Sequence, residues 1–301
     1  QPIDHDQPEL GSFSQRFFVS VMDRESPVVF VTEGYGAGYA EMPGYRTELS
    51  RYLHANEIVV EHRYFNESAP DPLDWTYLTV SNAAHDHHAI VELMKAWFDG
   101  KWVSTGISKG GQTALYHRSF FPDDVDATVG YVCPLNFSAD DQRVYAFLDE
   151  VGDESCRERI HDFQEALLMR KDECLPIFEK RMQKAGFNYQ RGVEAGFEFL
   201  VLEYAFAFWQ WGTFSCAKIP LPDDSAKKMV NHMLDVTGLD WGSDEGVEGQ
   251  MAFFYAAITE LGMYGYDFDE FPGLITALDD HTFQFTCPEG YDCKYDPEPM
   301  Q

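Results

Sequence analysis

Lys101-Trp102-Val103-Ser104-Thr105-Gly106-Ile107-Ser108-Lys109-Gly110-Gly111-Gln112-Thr113-Ala114-Leu115 is the stretch from which the rest of the chain is read. An apolar, β-branched run leads into Gly106-Ile107-Ser108-Lys109-Gly110, and a helix-like run from Gln112 to Phe120 follows. A G-x-S-x-G pattern between a strand and a helix forces a sharp turn that holds the serine in strained φ/ψ. Side chains at the flanking positions would collide there, so glycine fills them. The helix start directs free N–H groups and the positive end of its dipole at Ser108. Such a turn serves nucleophilic attack by the serine hydroxyl; the bland alternative is a glycine-rich turn with a bystander serine.

Moving outward, 301 residues with 45% hydrophobic content can bury a large core, as one large domain or a domain with a big insertion. The balance of 22 basic against 51 acidic residues, net −29, argues against nucleic acid and anionic membrane surfaces as partners. A negative field can also draw in a cationic substrate end, such as a peptide α-amine, or simply keep a secreted protein soluble. No apolar run is long enough to cross a bilayer. Gln1 to Gln7 is polar and has no signal-like core, so an exported form would have lost its leader already. The six cysteines include no C-x-x-C pair, which argues against zinc; no metal or cofactor is expected. Cys287–Cys293 is expected to close a small disulfide loop and Cys156–Cys174 to clip a helical hairpin, in an oxidising compartment; free thiols are the alternative.

Before the serine turn, residues 16–23, 27–33 and 57–64 read as strands, and Trp75 to Phe98 reads as a long helix. The second strand ends in Gly34-Tyr35-Gly36-Ala37-Gly38, where bare backbone N–H groups can face a ligand. His85-x-x-His88 on the long helix shows no acid partner at a metal-binding spacing and reads as packing and surface histidines. After the turn, residues 127–132 read as another strand. Strands this apolar are buried on both faces, which argues for a mostly parallel sheet flanked by helices. Near Asn136 the texture changes to amphipathic helical segments, among them Arg157–Arg170, Leu175–Ala185, Glu194–Gln210 and Ser225–Leu234. The expected division is therefore a core over 1–136, a helical cap over 137–270 and a return segment over 271–301.

Two groups of residues together resemble a known family. His62-Arg63-Tyr64-Phe65 with Ser68-Ala69-Pro70, and Gly106-Ile107-Ser108-Lys109-Gly110-Gly111 with Phe121-Pro122-Asp123-Asp124-Val125-Asp126, resemble the secreted bacterial prolyl tri/tetrapeptidyl aminopeptidases. These are serine peptidases distantly similar to the Pro-Xaa carboxypeptidase and dipeptidyl peptidase II group, and Glu260-Leu261-Gly262-Met263-Tyr264 fits the same pattern. The resemblance implies an α/β fold: an α/β-hydrolase core with a large inserted helical cap. It implies a secreted, periplasmic or cell-surface exopeptidase that releases short, proline-containing peptides from free N-termini through an acyl-enzyme on Ser108.

Carried over to this sequence, Ser108 is the nucleophile, and the oxyanion donors are the backbone N–H of Lys109 and that of Tyr35 or Gly36. Glu33 and Glu260 are acidic residues placed to meet a substrate amine. In the family the triad acid and histidine follow the cap on the last core strands. No such strands are readable after the cap, so a C-terminal segment of the same protein is the expected partner besides the peptide. His281 is the fallback base. The competing readings are an esterase or lipase on the same fold and a binding form that lacks the triad acid and histidine.

Overall fold

Val28 and Phe30 face one side of their strand and Val29 and Val31 the other, and all four are buried. A strand apolar on both faces belongs inside a sheet covered on both sides. The computed structural model, which describes residues 1–298, builds that sheet. Its strands are β1 (Phe17–Ser20), β2 (Val28–Thr32), β3 (Asn56–Val60), β4 (Trp102–Ile107) and β5 (Ala127–Tyr131), in the order β1-β3-β2-β4-β5. Only β1 runs antiparallel to its neighbour; β3, β2, β4 and β5 pair in parallel. One face packs Val28, Phe30, Ile58, Val60 and Trp102 against Ile90, Val91 and Met94 of helix α2 (Val80–Lys95). The other packs Val29, Val31 and Val59 against Leu49 and Leu53 of helix α1 (Glu48–Leu53).

The chain divides into two compact units. The first holds Gln1–Ala139, Tyr255–Gly262 and the described residues from Glu289; the second holds Asp140–Phe254 and Met263–Pro288. The sheet, α1, α2 and helix α3 (Lys109–Phe120) all lie in the first. Among the described residues no strand follows β5, and β5 pairs only with β4. Val129 on β5 is 36% exposed and Val132 beyond it 82% exposed.

Several boundaries differ from the sequence reading, the long helix and the third strand among them. The long helix is a 3-10 turn, Trp75–Tyr77, followed by α2 from Val80. Asp74 caps the turn through the Thr76 N–H at 3.0 Å, and Thr79 caps α2 through the Asn82 N–H at 3.1 Å. Two side-chain caps so close together split the run, because each satisfies orphan N–H groups of its own helix start. The third strand stops at Val60, since Glu61 and His62 leave the ladder to hold neighbouring loops.

The second unit is helical: α4 (Arg143–Glu150), α5 (Glu154–Met169), α6 (Lys171–Ala185), α7 (Val193–Trp211), α8 (Ala226–Thr237), α9 (Asp244–Gly249) and α10 (Met251–Ala256, whose last two residues belong to the first unit). Helix α7 is buried along most of its length, as expected for a helix apolar on nearly every face. Its Phe197 and Tyr204 are fully buried and meet the rings of Phe178 and Phe163, which are fully buried too.

The disulfide expectation for Cys156 is corrected. Cys156 pairs with Cys216, and Cys174 is a buried free thiol. Cys156 opens α5 and Cys174 opens α6, so most of the length of α5 separates them. The Cys156 and Cys216 Cα atoms are 5.4 Å apart, within the span a disulfide needs. Cys287 and Cys293 are also disulfide-bonded, and Cys133 is a free thiol.

Candidate active site

Ser108 stands between β4 and α3 with φ 54° and ψ −125°, outside the helical region and at positive φ. A non-glycine residue holds that conformation only where its surroundings over-determine it. Here the Ser108 N–H donates to the Tyr131 carbonyl at 2.9 Å, and its carbonyl accepts from the Gln112 N–H at 3.1 Å. A Cβ on Gly106 would strike the Gly110 carbonyl, and one on Gly110 would lie 2.8 Å from the Thr32 carbonyl. A Cβ on Gly34 would lie 2.7 Å from the Gly110 nitrogen. Glycine at these positions lets a strand end, a loop and a helix start touch.

The loop after β2 is held peptide by peptide. The Glu33 N–H donates to the Val60 carbonyl at 3.1 Å, and the His62 N–H donates to the Tyr35 carbonyl at 3.1 Å. The Ala37 N–H donates to the Glu61 carboxylate at 2.9 Å, and Lys109 Nζ donates to the Gly34 carbonyl at 2.9 Å. The Tyr35 hydroxyl lies against the Ser108 side chain, while burial pushes its pKa up to about 12. The Lys109 N–H opens α3, where an amide has no acceptor within its own helix. Ser108, Lys109, Tyr35, Gly36 and Glu33 thus come together in one unit.

The Lys109 side chain was not read from the sequence. It is buried, and burial lowers its pKa to about 7 against the opposing pull of Glu33. Its ammonium lies 5.9 Å from the Tyr35 ring centre and 5.7 Å from that of Phe65. The His62 ring is buried too, with Nδ1 donating to the Arg63 carbonyl at 2.8 Å and Nε2 3.2 Å from the Tyr116 hydroxyl. Burial, then the Lys109 charge, holds that ring neutral, with its pKa well below the usual value.

Glu33 accepts from the Tyr39 hydroxyl, and burial raises its pKa. Glu260, on the π-helical turn Ala257–Leu261, accepts the Val80 N–H at 2.6 Å and so caps α2; burial pushes it up to about 7. His281 belongs to the second unit, where its carbonyl accepts the Tyr266 N–H at 2.7 Å and its ring meets Phe268 edge-on.

The acid partners not found for His88 are Glu92, one turn on, and Asp124: one ligand atom from each lies within 4.8 Å of the others. Asp124 already accepts from His88 Nδ1 and His117 Nε2, each at 2.9 Å. The second unit holds a cavity of about 530 Å³ lined by Asp149, Glu158, Asp162, Asp267, Asp269 and Glu270 among others, a wall suited to a cationic group.

Residues 1–295 match the family described as PS-10 peptidase S37. The chain belongs to the S37 family of serine peptidases. Over 266 residues it is 35% identical to a prolyl tri/tetrapeptidyl aminopeptidase of Streptomyces mobaraensis, covering 87% of this chain and 55% of that protein. It is 28% identical over 155 residues to a prolyl carboxy peptidase like protein of Caenorhabditis elegans, covering 45% and 31%. A serine protease of Bipolaris victoriae is 26% identical over 147 residues, covering 41% and 27%. The chain therefore spans about half the length, or less, of these relatives. The family resemblance and the α/β class drawn from the sequence both hold.

Proposed function

We propose that Ser108 is the nucleophile of an S37 exopeptidase that releases tri- or tetrapeptides, proline-containing by preference, from free N-termini. The observation that carries this reading is the positive-φ serine at the strand–helix turn, beside a second, firmly held glycine-rich loop. Ser108 Oγ attacks the scissile carbonyl as a histidine takes its proton, giving an oxyanion; its collapse breaks the C–N bond, the histidine gives the proton to the leaving amine, and water then hydrolyses the acyl-enzyme. The N–H groups of Lys109 and of Tyr35 or Gly36 receive the oxyanion; one such donor is worth about 3 kcal/mol in the transition state.

The catalytic acid and base enter on a C-terminal segment of the same protein that pairs along β5. The exposure of Val129 and the single partner of β5 among the described residues support that edge as the docking line. His281 remains the fallback base. The amine of the peptide meets Glu33 or Glu260, whose burial makes each carboxylate costly unless a cation joins it. Secretion, or display in the periplasm or at the cell surface, is supported by the Cys156–Cys216 disulfide. No described helix is long and apolar enough to cross a membrane.

The test is product analysis with the full-length protein. Free-N-terminal peptides should yield tri- or tetrapeptides, their N-acetylated forms should resist, and Ser108→Ala should abolish release. Turnover of p-nitrophenyl esters with no peptide cleavage would instead favour an esterase. Unchanged rejection of acetylated peptides by Glu260→Gln would remove Glu260 from amine recognition.

A further inference from the structure

A trans peptide is planar, so its C=O and N–H point in opposite directions and fixing one fixes the other. The Gly34 carbonyl and the Tyr35 N–H share one peptide; the Tyr35 carbonyl and the Gly36 N–H share the next. The second peptide is fixed by a backbone donor, the His62 N–H at 3.1 Å. The first is fixed by a side chain, Lys109 Nζ at 2.9 Å. Lys109 follows the nucleophile directly, and its own N–H is the other oxyanion donor.

We propose that the Lys109 side chain is a positioning residue: by holding the Gly34 carbonyl, its ammonium aims the Tyr35 N–H at the transition-state oxyanion. Lys109 then serves the oxyanion twice, once through its own amide and once through a loop 75 residues earlier in the chain. A charged donor on the carbonyl also polarises the peptide, which strengthens the hydrogen bond its N–H can give. The buried site makes the contact specific. Lys109 is 2% exposed, its ammonium lies 5.9 Å from the Tyr35 ring centre and 5.7 Å from that of Phe65, and a Cβ on Gly34 would lie 2.7 Å from Lys109 Cβ.

The groups facing the ammonium are Glu33 from the loop after β2, His62 beyond β3 and His87 on α2. Burial keeps both imidazoles neutral, His87 with a pKa of about 3, so Glu33 is the opposite charge in its surroundings. Lys109 itself, lowered to about 7, carries its charge below neutral pH and sheds it above.

The inference rests on Ser108 being the nucleophile, and the experiment separates the two. In the full-length enzyme, Lys109→Met should lower kcat on the order of 10- to 100-fold with KM little changed. The affinity of a peptide boronic acid, a mimic of the tetrahedral state, should fall by the same factor. Wild-type kcat should decline as pH rises through about 7, and the Met variant should lack that limb. Lys109→Gln, which keeps a neutral donor, should fall between the two and serves if the Met variant does not fold. Unchanged kcat in a folded variant, or a loss of kcat with boronate affinity intact, overturns the proposal. If a fluorophosphonate fails to label Ser108 in the wild type, the nucleophile assignment fails instead.

Discussion

Among the described residues, the five non-glycine residues at positive φ, namely His54, Tyr64, Asn66, Ser108 and Val132, all lie in the sheet-containing unit. In the helical unit only glycines take such angles, Gly152, Gly186 and Gly212 among them. Buried charge occurs in both units, as Lys109 and Asp86 in one and Glu198 and Glu203 in the other, but the rest of the interior differs. The sheet unit spends Arg63, Asp86, Glu61 and Lys109 on fixing backbone and one another. The helical unit fills its interior with rings, such as Phe163, Phe178, Phe197, Phe254 and Phe283. Backbone strain costs stability, so it persists where geometry must be held for chemistry; a packed aromatic core serves stability.

The contrast can be broken by substitution. The largest effect is expected at Ser108→Ala: loss of turnover by about 10⁶-fold, as for a triad member, with the urea midpoint nearly unmoved. A comparable loss of stability would place Ser108 in packing, not in chemistry. Next comes Arg63→Met in the sheet unit. It leaves Asp86 buried without its bidentate partner, at 2.6 and 2.9 Å in the native chain. The expected cost is about 3–5 kcal/mol by denaturant titration. In the helical unit Phe163→Ala should cost about 3–5 kcal/mol through cavity formation, and well below the midpoint it should leave the rate at Ser108 unchanged.

The smallest effect is in pH dependence, and here the two units agree. Glu203, buried in the helical unit and accepting from the Tyr266 hydroxyl at 2.7 Å, is raised by burial to about 7, as is Glu260 in the other. A carboxyl raised on folding holds more protons in the native state. It therefore makes stability fall as pH rises from the ordinary value of 4.5 through about 7. Glu203→Gln and Glu260→Gln should each flatten that slope in thermal melts taken across the window. An unchanged slope would show that these carboxyls titrate normally.

The serine turn was legible because steric crowding leaves glycine as the workable residue at Gly106 and Gly110, and crowding writes itself into local sequence. The sheet was legible from runs buried on both faces. Lys109 was legible only as an amide: lysine is usually exposed, and nothing local reveals that its ammonium ends on Gly34. The hydrogen bond of Glu260 to the Val80 amide, 180 residues earlier, was not legible, because tertiary packing sets it. The Cys156–Cys216 bridge was missed for the same reason, since 60 residues separate the two and spacing carries no pairing rule.

The most direct measurement is mass spectrometry of the full-length protein after brief exposure to a fluorophosphonate. A single adduct on the peptide that contains Ser108, lost in Ser108→Ala, is the predicted result. No adduct while a known serine peptidase in the same tube is modified, or an adduct on another residue that survives Ser108→Ala, would contradict the assignment of Ser108 as the acylated nucleophile.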